Sequence, residues 1–191
     1  MDAIVDRVAQ AAAAIAQGQI VAYPTETFYG LAVGAFDLKA LARLRELKGR
    51  GVEKAFSVLV ADRRMLDLLC AEISPTAEAL MARHWPGPLT LALPARPGLP
   101  EAIVLDGCVA VRMSPHPLAQ ALVAVAAQPI TATSANPAGA PAPTTAAGVA
   151  AYFPAGCHLL DGGSTPGGAA STLARVREDR IEILRPGPVR L

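Results

Sequence analysis

Cysteine is scarce: Cys70, Cys108 and Cys157 are the only three in 191 residues, odd in number and far apart. That spacing suggests neither a disulfide framework nor a paired-cysteine zinc site, and leaves small buried apolar residues as their expected role. His84, His116 and His158 are equally scattered and show no metal-ligand spacing. Aromatic residues make up 4% of the chain, too few for a platform that stacks successive bases. Neither sign of charge dominates, with 17 Lys and Arg against 16 Asp and Glu. A global positive field for nucleic acid is therefore missing, and only a local basic cleft stays open. No apolar run approaches the roughly 18 to 20 residues of a membrane helix. The start, Met1-Asp2-Ala3-Ile4-Val5-Asp6-Arg7, lacks the basic leader and apolar stretch of a signal peptide. The expectation is a cytoplasmic protein with no membrane contact. Nucleotide and hydrolase signatures are also missing: no glycine loop ends in Gly-Lys-Ser/Thr, Gly162, Gly163, Gly167 and Gly168 lack dinucleotide-fold spacing, and no Gly-x-Ser-x-Gly elbow occurs. No covalent nucleophile is expected.

What is present reads as alternating helices and strands. An alanine-rich helix with apolar Ile4, Val5, Val8 and Ile15 ends at Gly18, and Gln19 to Tyr23 reads as a strand that Pro24 stops. Thr25, Glu26 and Thr27 are thereby presented at a strand end, where α/β proteins hold ligands. Leu31 to Phe36 reads as a second strand, and Asp37 caps a helix through Leu38, Leu41, Leu44 and Leu47. Phe56 to Val60, Leu89 to Leu93, Val109 to Met113 and Ile130 to Thr133 read as strands. Asp62 to Leu69, a helix opened by Ser74-Pro75 and running to His84, and Pro117 to Ala126 read as helices. Thr144 or Thr145 caps a helix to Tyr152, followed by strands at His158 to Leu160, Ser171 to Val176 and Ile181 to Leu184. Consecutive strands near the end require an antiparallel component, so a mixed, twisted sheet with flanking helices is expected, in one domain over residues 1–191.

Three segments carry chemistry. Lys48-Gly49-Arg50 puts two cations at a helix end with a glycine between them, where the backbone can turn both into one cleft. Cations there also offset the negative end of the helix dipole with no function at all. Tyr23 to Leu31 supplies short hydroxyls, and Thr133-Ser134-Ala135-Asn136 a polar turn. Fixed cations with hydroxyls and an amide at the ends of hydrophobic segments suit a phosphate-bearing small molecule.

Tyr23-Pro24-Thr25-Glu26-Thr27-Phe28-Tyr29-Gly30-Leu31 and Lys48-Gly49-Arg50 resemble motifs of the YrdC-like family. In the same order follow His84-Trp85-Pro86-Gly87-Pro88-Leu89-Thr90, Val109-Ala110-Val111-Arg112, Ser134-Ala135-Asn136, Ser171-Thr172 and Leu184-Arg185-Pro186-Gly187. The resemblance runs over nearly the whole chain, and with nothing after Leu191 the short form of the family is expected. It implies a mixed α/β fold with a concave basic cleft. It also implies a reaction joining L-threonine, bicarbonate and ATP into threonylcarbamoyladenylate and pyrophosphate, for modification of tRNA. Mg2+ is expected to come with ATP, with no tightly bound cofactor and no protein-held metal. Carried over by motif position, Lys48 and Arg50 are the catalytic cations facing the phosphates, with Lys54 a weaker addition. Thr133, Ser134, Asn136 and Arg185 hold ATP or the adenylate, and Thr25, Arg112 and Ser171 hold threonine. Glu26 is a base for the threonine amine, or else a cap or an ion-pair partner at the strand exit. Trp85-Pro86-Gly87-Pro88 is expected to be a rigid corner outside the site. Where the family has proline, this chain has Gly51 and Ala55, so a more mobile loop after Arg50 is expected. Partner proteins of tRNA modification and a weak tRNA or double-stranded RNA contact also follow from the resemblance. The alternatives are an RNA-binding module and a paralogue without synthase activity.

Overall fold

The structure is a computed structural model that describes residues 2–178 and 180–191. Helix α1 (Asp2–Ala16) buries Val8, Ala11, Ala12 and Ile15, a spacing that lays one apolar stripe along a helix. Strand β1 (Val21–Pro24) is buried throughout and runs antiparallel to β2 (Tyr29–Ala32), from the pair Val21 and Ala32 to the pair Pro24 and Tyr29. Pro24 closes β1 from within the strand. Its partner begins two residues earlier than the sequence pattern suggests, because Tyr29 and Gly30 pair back onto Pro24 and Tyr23. Beyond Ala32 the chain leaves the ladder, and Gly34 makes an isolated bridge to Ile130.

Helix α2 (Leu38–Lys48) is capped as expected, with Asp37 accepting from the Ala40 amide. β3 (Val58–Leu59), α3 (Arg63–Leu69) and α4 (Pro75–His84) follow, the last two capped by Asp62 and Ser74. The corner after α4 is built tightly: Trp85 Nε1 donates to the Leu89 carbonyl at 2.8 Å and the Gly87 amide to Met113 at 2.9 Å. A side chain at Gly87 would meet the His84 carbonyl at 2.2 Å, which explains the glycine. β4 (Leu89–Pro94), a 3-10 turn at Glu101–Ile103, β5 (Val104–Leu105) and β6 (Cys108–Arg112) lead to α5 (Pro117–Ala126). The chain continues through β7 (Ile130–Thr131), β8 (Thr133–Ser134), α6 (Ala146–Tyr152), β9 (His158–Leu159), β10 (Thr172–Arg177) and β11 (Arg180–Arg185).

The fold is mixed α/β, but its strands divide into two mixed sheets rather than the one the pattern suggests. The smaller has the order β8-β2-β1-β9, and the larger β11-β10-β4-β6-β3-β7 with β5 added on β6. The division falls inside Ile130 to Thr133, which reads as one strand. Its first half pairs antiparallel with β3 and its second half with β2. Thr131 makes the seam. Its amide donates to the Val33 carbonyl, its hydroxyl donates to Leu31 and accepts from the Val33 amide, and its carbonyl accepts from the Tyr23 hydroxyl. One residue on, the Ala132 amide donates to Ser57 beside the larger sheet. The four-residue run Ile-Thr-Ala-Thr carries no local mark of such a switch, since tertiary partners set it. Among the described residues no helix is long and apolar enough to cross a membrane.

Candidate active site

Where the sheets part, the ends of β1, β4, β6, β8 and β11 surround a cavity of about 160 Å3. On its smaller-sheet side the 25–28 turn closes on itself. Thr25 Oγ1 donates to the Phe28 carbonyl at 2.7 Å, accepts from the Thr27 amide at 3.2 Å, and lies 3.2 Å from Thr27 Oγ1. Tyr29 anchors the loop opposite, donating to the Gly163 carbonyl at 2.7 Å, while the Gly167 amide donates to Thr27.

Lys48 and Arg50 do not point into one cleft. Gly49 takes the left-handed conformation, φ 58°, and ends α2 by donating to Arg45 and Glu46 carbonyls. That turn separates the two cations. Lys48 is 3% exposed, and its Nζ donates to the carbonyls of Ser134 at 2.5 Å and Asn136 at 2.6 Å. It lies under the polar turn, which it also grips through its own carbonyl, the acceptor for Ala138 N. Burial first, and the charge of Arg50 second, push its pKa down to about 8. Between that value and the ordinary lysine range the unfolded chain holds more protons, so this group makes stability rise with pH there. We expect the Lys48 side-chain carbon signals to titrate with a midpoint near 8. From pH 8 toward 10 the denaturant midpoint of the wild type should gain on that of Lys48→Met, and a parallel course for the two would remove this reading.

Arg50 does line the cavity. Its Nε donates to the Lys54 carbonyl at 3.0 Å and a terminal nitrogen to Ala55 at 2.8 Å, with the guanidinium 5.2 Å from the Phe56 ring centre. Burial, and then the charge of Arg45, lower its pKa. Lys54 is exposed, and its backbone carbonyl rather than its ammonium takes part.

On the larger sheet, Arg112 ends β6 directly across from Thr90 on β4. Arg112 is 7% exposed and ion-paired with Glu26, whose other oxygen accepts from Ser114 Oγ at 2.6 Å. Of the roles open to Glu26, ion-pair partner is the one it fills in this conformation. Arg112 Nε is buried without a hydrogen-bond partner. Ser171 lies between Thr90, 2.8 Å from hydroxyl to hydroxyl, and Arg185, which donates to its carbonyl at 3.1 and 2.7 Å and to its hydroxyl at 3.1 Å. Burial, followed by the charge of Arg112, lowers the Arg185 pKa. Three guanidinium groups thus share one small space, and each would gain from an anion among them.

Of the residues singled out from the sequence, Thr25, Arg50, Arg112, Thr133, Ser134, Ser171 and Arg185 line the cavity, whereas Lys48, Lys54 and Asn136 do not. Asn136 is 8% exposed and braces its own loop, donating to the Pro137 and Ala140 carbonyls, with Oδ1 left unpaired. Ser57 and Thr90 line the cavity unannounced. Thr90 had a signal in its alternation with buried Leu89 and Leu91. Ser57 had none, since its place depends on the β3 pairing.

The chain is a mixed α/β domain with arginines and short hydroxyls gathered where its strands end. The particular family follows from comparison: the Sua5/YciO/YrdC model, described as "Telomere recombination", matches residues 13–187, and the chain belongs to that family. It is 43% identical over 180 residues to a threonylcarbamoyl-AMP synthase of Pyrococcus abyssi, covering 93% of this chain and 53% of that protein. A protein of the same name from Pseudomonas aeruginosa is 37% identical over 166 residues, covering 86% of this chain and 89% of its own. The crystal structure of P. abyssi Sua5 complexed with L-threonine superposes with a TM-score of 0.90 at 41% identity, covering 94% of this chain and 54% of that one. The chain therefore spans about half the length of the Pyrococcus protein.

Proposed function

We propose that the chain catalyses formation of threonylcarbamoyladenylate and pyrophosphate from L-threonine, bicarbonate and ATP. The observation that carries this reading is the meeting of Arg50, Arg112 and Arg185 with Thr25, Ser134 and Ser171 in one cavity. The threonine complex of a 41% identical relative supports the same reading.

In this reading Arg112 takes the threonine carboxylate, its unpaired Nε supplying a donor that Glu26 leaves free. Thr25 and Ser171 flank the amino acid. The threonine amine and bicarbonate condense to a carbamate with loss of water. A carbamate oxygen then attacks the α-phosphorus of ATP, and the bond to the β-phosphate oxygen breaks to release pyrophosphate. Negative charge grows on the phosphate oxygens, where Arg50, Arg185 and the Thr133 and Ser134 groups stand. Lys48 acts through the turn it holds, placing Ser134 and Asn136 and adding a positive charge behind them. Positioning and charge do the work, with no covalent nucleophile. Mg2+ would come with ATP, carried by the nucleotide phosphates. The product would pass to partner proteins that modify tRNA.

Pyrophosphate release should require L-threonine, bicarbonate and ATP together. Arg50→Ala should lower kcat/KM by about 100-fold, the usual size for losing one positioned charge. Release that ignores L-threonine, or none from folded wild type, would overturn the reading. Salt-dependent tRNA binding without turnover would favour an RNA module instead.

A further inference from the structure

Arg50 is aimed without an acid. Among the described residues it makes no ion pair within 4 Å, and Glu53, the acid whose charge favours its protonated form, is exposed. Its two hydrogen bonds go to Lys54 and Ala55, carbonyls of the loop that carries it. The loop, exposed at Gly51, Val52, Glu53 and Lys54, closes on itself through a long 3.4 Å bond from the Lys54 amide to the Gly51 carbonyl, which does little to fix its shape. The fixed points are Arg45 and Phe56. Arg45 projects from the last turn of α2, and its NH1 donates to the Gly51 carbonyl at 2.6 Å. Its guanidinium lies 5.5 Å from the centre of the Phe56 ring, and that of Arg50 lies 5.2 Å from the same ring. Phe56 is fully buried, with its amide bonded to the Ala102 carbonyl.

We propose that Arg45 is a positioning residue for the anion site: by bonding Gly51 and sharing the Phe56 ring it closes the 50–55 loop and keeps Arg50 in the cavity. The proposal rests on the synthase reading for its substrate, the triphosphate of ATP. It adds a residue outside the cavity and accounts for how a loop with Gly51 and Ala55 is held. Arg45 and Arg50 also repel one another. An anion bound at Arg50 offsets that repulsion, so the loop closes further when nucleotide is present.

The test compares Arg45→Met, Arg45→Lys and Phe56→Leu with wild type. Amide hydrogen exchange over residues 51–55 is read with and without ATP, and KM and kcat are read for each substrate. In Arg45→Met, exchange there and KM for ATP should each rise roughly tenfold, the scale of one charge-assisted hydrogen bond with a cation–π contact. The KM for L-threonine should stay within about twofold, while kcat falls several-fold along with the ATP effect, because Arg50 faces charge that grows in the transition state. Arg45→Lys should fall between, since an ammonium keeps the charge but not the forked reach, and it decides the matter if Arg45→Met does not fold. Phe56→Leu should loosen the same amides. A weaker salt dependence of ATP binding with unchanged exchange would make Arg45 a direct phosphate ligand and overturn the proposal. Unchanged exchange and unchanged KM would overturn it too. If wild type forms no pyrophosphate, the synthase reading fails by itself, while the exchange comparison still decides the role of Arg45.

Discussion

Lys48→Met is expected to reduce pyrophosphate formation by about two to three orders of magnitude, the range for removing a preorganised charge from a reacting anion. The reason is not a lost contact to phosphate. Lys48 is under the 133–137 turn, and its removal leaves the Ser134 and Asn136 carbonyls without their donor. The buried Asn136 acceptor alone costs about 1 to 3 kcal/mol when abandoned, and the part-buried Ser134 acceptor less. Relieving the desolvated charge offsets part of this, so the global midpoint should move less than activity does. A urea melt beside the turnover assay separates the two. Equal loss in both would mean that Lys48 only supports the fold, and full activity would remove it from the site altogether.

Arg112→Ala is expected to be the most damaging change to amino-acid binding, raising the KM for L-threonine by about 100-fold or more, as truncating a buried carboxylate partner does. It also strands the Glu26 carboxylate with Ser114 as its remaining hydrogen-bond donor. Loss of one member of a buried pair costs about 3 kcal/mol, at the low end of the usual range because the pair is not fully shielded. The Glu26→Gln, Arg112→Ala double variant should recover much of that stability but none of the threonine affinity. Recovery of both would assign Arg112 to structure alone.

The helices were legible because their signals are local. Asp37, Asp62 and Ser74 cap where their types predict, and Pro117 opens α5 at its first residue. The strand-end hydroxyls and Arg112 were legible through ordered motifs. What escaped was set by distant pairing: the split of Ile130 to Thr133 between two sheets, the early start of β2, and the entry of Ser57 into the cavity. Lys48 and Arg50 show the limit most clearly. Their spacing suggested a shared target, yet one left-handed glycine sends the lysine beneath the turn and the arginine into the cavity.

Thr131 joins both sheets, and the cavity walls are drawn from Tyr23 toward one end of the chain to Arg185 toward the other. The site is complete only when both sheets are formed, because each supplies part of its walls. A ligand that fills it therefore reports on cooperativity: its binding energy is added to the stability of the folded chain as a unit rather than to one loop. Substrate would act as a cross-brace between the sheets, and the protein should be hardest to unfold when it is at work.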